Sequence, residues 1–574
     1  MQQIDAWRAS CLLSPMVIVM SLKPRGRPIG HRSLHRASIL LSAVLCLCAM
    51  RTEAQAPTTT LDYSRIPSQW RYHIERIVAA EQQPDALARC IAHPPPLKSM
   101  WPDGLAKAYC EQIHDDSTPK LAAIEAALKA GQAGDLDARF AGMVAAIARD
   151  PFQRDRTIFS YRSVESADGR GLTAAQEWLK RTPDSPYALA ARGFAYLGLA
   201  EKARGTGWAR NMSDAQMRGM RENLKLAVSD LSTVASRQPK MISTYVGLMN
   251  AAQLDGDFRE QGAAAVQSAL EIAPRNCTVY LALSYSAQPK WGGSIKQLRA
   301  IARLANLHVR DNPLLARVRS YPVGYAAYER MRGSDDATRQ RLLPVLERAF
   351  RLGPDVSYAE RIARTTWRKE PAASLAYWSQ VARFDPGEID AWINRGFSWT
   401  RVFGAAGADL GISDLRHALS LDGDNRDAHI DLANAYALKR EPARAEEQLQ
   451  AVIKLDAGNA RNLQADRRML AGIVTFGHRD PVRALQLVNG LLQEDAGWTF
   501  GLYLKAVALW ESGNRSKSFD TLTLFVDKAD ASDPSLRPYV EAARKLIAQI
   551  SAPIERGPQR QAKPEQRKRS AGTR

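Results

Sequence analysis

The sequence predicts an all-α chain of helical hairpins stacked as a solenoid, an α/α superhelix, and three features of the residues lead there. After Ser213 the apolar positions Met217, Met220, Leu224, Ala227, Leu231 and Val234 alternate steps of three and four, which lines one stripe of a helix. Helical segments follow one another along the chain, separated by short helix-ending stretches such as LEIAPRN, RLGPDV and RFDPGE. No run of period-two alternation with hairpin turns interrupts them. At 574 residues the chain is too long for a single compact core, and an array of repeated units buries that much apolar sequence without one.

The elements are read in chain order. Residues 1–56 form a leader: basic residues from Lys23 to Arg36 precede the apolar run Ala37–Met50, and RTEAQA supplies small residues for cleavage. That order predicts a secretory signal peptide, with Met20 as the expected start and a cut after Ala54 or Ala56, and hence a periplasmic or secreted protein. The run of fourteen residues is too short to span a bilayer. Residues 57–135 are expected to form an N-terminal helical cap. In an oxidising compartment Cys90 and Cys110 are a candidate disulfide across IAHPPPLKSMWPDG, and Cys277 reads as a quiet, semi-buried thiol. Degenerate hairpins are expected over 136–356 and better-formed ones over 357–552, followed by a basic tail, 553–574, too poor in apolar residues to fold.

Local chemistry supports helices throughout. Thr173–Gln176, Ser213–Gln216, Ser294–Gln297 and Ser357–Glu360 match the capping box, in which a hydroxyl and a carboxamide or carboxylate satisfy the free amides at a helix start. Ser185–Pro186, Asp480–Pro481 and Asp533–Pro534 place an N-cap before proline at the first helical position.

The hairpin of LDGDNRDAHIDLANAYALKREPARAEEQLQAVIKLDAGN carries His429, Leu432, Ala433 and Tyr436 on its first helix and Ala445, Leu449 and Val452 on its second, with Ala457 beyond. These places resemble the tetratricopeptide repeat, with Val452 and Ala457 departing from its preferred Ala and Pro. Looser copies begin at Leu189, Gly193 and Tyr196 and at Trp392, Gly396 and Trp399. The resemblance implies a tetratricopeptide-like solenoid that binds proteins or peptides.

One stretch is only partly explained by turn chemistry. In QPKWGGSIKQ, Pro289 ends a helix, Gly292 and Gly293 allow unusual backbone angles, and Ser294 starts the next helix, which accounts for a structural loop but not for Lys290 or Trp291. The bland reading makes Trp291 a filler between hairpins and Lys290 a solvated charge; the sharper one makes them a recognition pair. PKWGGS also resembles the signature of a bacterial family known only as a domain of unknown function, and ARGTGWA, Ala203–Ala209, resembles its second patch. That resemblance makes Arg204, Trp208, Lys290 and Trp291 the candidate ligand- or partner-binding residues and puts Gly205 among the structural glycines.

The net charge of +19 divides into +5 in the leader, +5 in the tail and +9 between them, which fits attraction to any polyanion and singles out no nucleic acid. The tail is expected to touch an anionic envelope surface peripherally. There is no phosphate loop, GxGxxG, HExxH, GxSxG or CxxC. Ser117–Lys120 has the Ser-x-x-Lys spacing without its companion motifs; His429 and His308 lack partners at metal spacing; Asp115–Asp116 and Asp335–Asp336 read as turn or helix-start acids. No catalytic residue, metal or cofactor is assigned. The expected function is an exported helical-repeat scaffold for a protein or peptide; the alternative is an envelope enzyme or small-ligand receptor whose pocket the ARGTGWA and PKWGGS patches form.

Overall fold

The computed structural model describes residues 61–166, 169–207 and 211–551; the leader, Trp208 and the tail from residue 552 lie outside them. The described residues are helical, with no strand among them, and belong to two compact units, one of Asp62–Val402 and one that begins at Phe403. The fold is an all-α, tetratricopeptide-like helical-hairpin solenoid.

In the first unit, antiparallel hairpins follow in sequence. Pro186–Arg204 pairs with Asp214–Arg237, Ile242–Leu254 with Arg259–Ile272, Tyr321–Met331 with Asp336–Leu352, and Val356–Thr366 with Pro371–Phe384. Their packing follows from the stripes: Met220, Leu224, Ala227, Leu231 and Val234 are all buried, in one core that runs from Leu121 to Val279. Glycines set the spacing where helices nearly touch. A Cβ on Gly193 or Gly247 would press into Leu231, and one on Gly198 would overlap the carbonyl oxygen of Glu165.

Residues 62–113 fold back onto the later hairpins of the same unit. Cys90 and Cys110 are bonded, tying helix Ala86–Ala92 to helix Leu105–Ile113. Tyr109 stacks on Phe384 at 4.4 Å, Trp101 Nε1 donates to the Phe350 carbonyl at 2.9 Å, and Gln380 Nε2 donates to the Pro94 carbonyl at 2.7 Å. Glu81, at the end of helix Ser68–Glu81, meets Arg395 Nη1 at 2.6 Å and His93 Nε2 at 2.9 Å. Arg395 holds the Glu81 carboxyl well below the usual carboxylate range, against the opposing effect of burial.

The second unit contains the best-formed repeat. Helix Arg426–Leu438 pairs with Pro442–Leu455, and Leu432, Ala433, Tyr436, Ala445, Leu449 and Val452 are buried between them and their neighbours. His429 bridges Gln448 Oε1 at 2.8 Å and the Gly423 carbonyl at 3.1 Å, so it ties the hairpin together from its edge. Thr499–Glu511 with Arg515–Lys528 forms a further hairpin, against which Arg537–Ser551 packs.

Helix starts match the local signals at some positions and not at others. Ser213 and Gln216 make the complete reciprocal capping box, and Ser185 and Asp480 cap helices whose first residue is proline. Ser294 accepts from the Gln297 amide at 3.2 Å. Thr173 is not a cap: its helix begins at Arg170, after Gly169 at φ +92°, and the Thr173 hydroxyl bonds back to the Gly169 carbonyl. At the next misread start, the Asp355 carboxylate takes the Tyr358 amide, leaving Ser357 inside the first turn. Asp533 shapes a turn by accepting from the Ser535 amide, and the helix that follows starts at Arg537.

Candidate functional site

The QPKWGG stretch is one turn of 3-10 helix, Pro289–Trp291, inserted between helices Cys277–Ser286 and Ile295–Asn306. Gly292 sits at φ +86°, in the left-handed region that favours glycine, and a Cβ on Gly293 would collide with the Ala287 carbonyl. Both glycines are therefore needed by the backbone. The turn is anchored from a third element, where the Lys290 amide donates to the Tyr325 hydroxyl at 3.2 Å.

This geometry turns Lys290 and Trp291 toward the end of helix Pro186–Arg204. The Arg204 guanidinium carbon lies 5.2 Å from the centre of the Trp291 ring. Lys290 Nζ lies 5.0 Å from the Tyr285 ring and 5.9 Å from Trp291, and it meets Glu329 Oε1 at 3.7 Å. Tyr285 and Trp291 are 6.0 Å apart at a tilt of 56°. Three residues of the two sequence patches thus meet at one half-buried corner, where cations lie beside aromatic rings. Gly205, at φ +70°, lets the chain leave the helix directly after Arg204, whose guanidinium also donates to the Gly205 carbonyl at 3.0 Å. Trp208 lies outside the described residues.

Beside this corner opens a cleft of about 460 Å³ that no sequence motif announced. Its polar lining includes Arg162, Glu165, Glu201 and Asn250, with Leu172 and Leu199 as apolar wall. It exists because helix Pro186–Arg204 approaches the end of helix Thr157–Glu165 at Gly198, and Glu201 follows one turn later on the same helix. Glu165 is crowded on most sides, and burial followed by the charge of Glu201 pushes its carboxyl up to about 8, while Arg162 pulls the other way. Burial also raises Glu201, which Arg204 partly offsets. No hydrogen bond or ion pair within 4 Å reaches the Glu165 carboxyl from the described residues, and Arg162 on the same helix is the opposite charge it feels most. The charge of Glu201 also reaches Tyr285, so cleft and aromatic corner adjoin.

The remaining candidates have structural placements. Cys277 is buried, its Sγ faces the Leu314 carbonyl at 3.2 Å, and burial raises its thiol to about 11, which leaves it a poor nucleophile. Ser117 closes a turn on Asp115, and Asp335 caps the helix that starts at Asp336 through the Thr338 amide. Lys290 is not simply solvated: it is half-buried and paired.

The observation that decides the broad class is the buried small-and-large pattern of helix Arg426–Leu438 against Pro442–Leu455. The chain is tetratricopeptide-like. No family model and no curated protein matches it, so the second resemblance, carried by PKWGGS and ARGTGWA, gains no support there. Among solved structures it is similar to a tetratricopeptide repeat protein from Parabacteroides merdae ATCC 43184, at 12% identity, with 46% of this chain and 98% of that one covered and a TM-score of 0.29. It is also similar to the TPR domain of P58(IPK), at 14% identity, covering 58% and 95% with a TM-score of 0.21. A third likeness is to the APC/C hetero-tetramer Cut9-Hcn1, at 10% identity, covering 85% and 97% with a TM-score of 0.31. Scores of this size carry no functional meaning, and the hairpin fold stands on the chain's own helices.

Proposed function

We propose that this chain is an exported, non-enzymatic scaffold that binds a protein or peptide segment through the cleft bounded by Arg162, Glu165 and Glu201 and the adjoining corner of Arg204, Tyr285, Lys290 and Trp291. The observation that carries the reading is an open cleft of about 460 Å³ in which Arg162, Glu165, Glu201, Lys202 and Asn250 present polar groups beside the apolar wall of Leu172 and Leu199, an arrangement suited to the mixed polar and apolar surface of a protein or peptide segment. Stacked helical hairpins supply this kind of surface, since residues facing a groove vary without disturbing the packing between helices. Export is supported by the basic-then-apolar leader and by the Cys90–Cys110 bond, which persists in oxidising compartments. A peripheral contact of the tail with an anionic envelope surface belongs to the same proposal.

The convergence of Arg204, Lys290 and Trp291 also favours a second reading, a receptor or enzyme for a small molecule. A photocrosslinking residue at Trp291, compared with one at the exposed Val482, separates the two in intact cells. A discrete protein adduct at Trp291 that disappears in Glu165→Lys supports the scaffold. A small-molecule adduct with the same dependence supports the receptor. Equal adducts at both positions would overturn both readings.

A further inference from the structure

We propose that the interface between residues 62–113 and helix Pro371–Phe384 holds one small monovalent anion of halide size, gripped by the Nε and Nη2 edge of the Arg383 guanidinium. The seat is separate from the cleft and does not rest on the scaffold reading.

The geometry of Arg383 leads there. Its side chain is enclosed, the residue being only 4% exposed, and its Nε and Nη2 atoms are buried without a hydrogen-bond partner. The polar contacts of its guanidinium are made by Nη1, which donates to the Pro94 carbonyl at 3.4 Å and to Gln380 Oε1 at 3.3 Å. Both are long bonds to neutral acceptors. The Phe384 ring covers the group, its centre 4.7 Å from Cζ. In a guanidinium the Nε and Nη2 hydrogens point the same way from one edge, a fork that takes an anion through two parallel bonds. That edge of Arg383 is the one left over.

The charges around it do not balance. The buried carboxylate of this interface, Glu81, is engaged by Arg395 at 2.6 Å and by His93 at 2.9 Å. Arg89 adds a further positive charge that Glu81 feels. Helix Pro371–Phe384 contains no acidic residue, and Asp385 just beyond it accepts from the Gly387 amide. The histidines supply no negative charge in either form, and burial keeps His93 and His73 below their ordinary value, so both are neutral at pH 7. Burial lowers the Arg383 guanidinium to about 9 with no carboxylate acting against it, and it stays charged at neutral pH. Glu81 thus offsets Arg395, and the charge of Arg383 remains. A water molecule would satisfy the hydrogen bonds of the fork and leave that charge; an anion satisfies both.

The walls set the size of the ion. Cys90, His93, Gln380 and Phe384 are 2–4% exposed, so an ion carrying an organic chain has no way to sit against the fork. One guanidinium requires one negative charge. The ion lies where the disulfide-bonded segment docks, since Cys90 Sγ is 3.4 Å from the Arg383 carbonyl oxygen and Pro94 touches the same side chain. Binding it therefore strengthens that docking.

The test combines urea unfolding of the mature full-length chain, in sodium chloride and in sodium gluconate at equal ionic strength, with crystals grown in sodium bromide. For one ion bound only by the folded form, each tenfold rise in chloride above half-saturation should raise the folding constant of the first unit tenfold. Arg383→Met, which keeps the length of the side chain and removes its charge, should abolish that slope. Bromide should give an anomalous-scattering peak within hydrogen-bonding reach of Arg383 Nε and Nη2. Where Arg383→Met does not fold, the wild-type slope and the bromide peak decide the matter by themselves. Equal stability in chloride and gluconate, an equal slope in Arg383→Met, or water alone at the fork overturns the proposal. A bromide peak without a chloride slope is an adventitious ion and overturns it too.

Discussion

Replacing Glu81 with alanine is expected to destabilise the first unit by about 3 kcal/mol. The Glu81 and Arg395 side chains are only 14% and 3% exposed and meet at 2.6 Å, with His93 as the second partner of the carboxylate. Removing one member of such a pair leaves the other charge desolvated, which costs roughly 3–5 kcal/mol. The face of Trp392, 4.7 Å from the Arg395 guanidinium, offsets part of that, so the lower end applies. With a urea dependence of about 1–3 kcal/mol per molar, the midpoint should fall by roughly 1–3 M. Equilibrium unfolding in urea, followed by circular dichroism, reads this. The sign with pH also follows: the folded carboxyl titrates below its unfolded value, so its contribution is full above the ordinary carboxylate range and is lost as the solution is acidified through it. The double replacement Glu81→Leu with Arg395→Met should recover most of the loss, because no buried charge is then orphaned. A single-mutant loss under about 1 kcal/mol, or a double mutant worse than Glu81→Ala, would refute the reasoning.

Three more outcomes are expected. Cys90→Ala with Cys110→Ala, which opens a loop of sequence separation 20, should lower stability by about 3 kcal/mol in the same urea assay. Gly293→Ala should disturb the Pro289–Trp291 turn and shift Trp291 fluorescence, while Gly292→Ala, which meets only a backbone-angle penalty, should cost about 1 kcal/mol and leave the emission in place. Glu165 has the opposite linkage to Glu81: its folded carboxyl titrates at about 8 against an ordinary 4.5, so the folded chain keeps a proton that the unfolded chain has released, and stability falls as pH rises between those values. At about 1.4 kcal/mol per pH unit the upper bound is roughly 5 kcal/mol, and the water that reaches the cleft reduces it to ~1–2 kcal/mol. Glu165→Gln should abolish that part of the slope in melting temperatures taken from pH 5 to pH 8.

The hairpins were legible because burial follows residue spacing: Met220 to Val234 need only a helical period to share a face. Cap positions were less so, since Ser357 and Thr173 satisfy the same pattern as Ser213, and only the stronger acceptor Asp355 or the left-handed Gly169 decides which residue starts the helix. Within the site, Lys290 and Trp291 stood out because turn chemistry accounted for their neighbours and not for them. Arg162, Glu165, Glu201 and Asn250 did not stand out, because charged and polar residues on amphipathic helices read as a solvated face. What separates them is the close approach at Gly198, a tertiary contact with Glu165 that the spacing of either helix alone does not encode.

The pairing of Glu81 with Arg395 joins residues 314 positions apart. A chain made from its N-terminus onward reaches that pairing late, so its opening helices must wait, apolar side exposed, until the distant hairpins exist to receive them. Covalent closure between Cys90 and Cys110 involves only nearby residues and can occur long before. Timing of oxidation relative to synthesis should therefore govern how much of the waiting segment survives to dock, and folding yield should fall in cells that lack a dithiol oxidase.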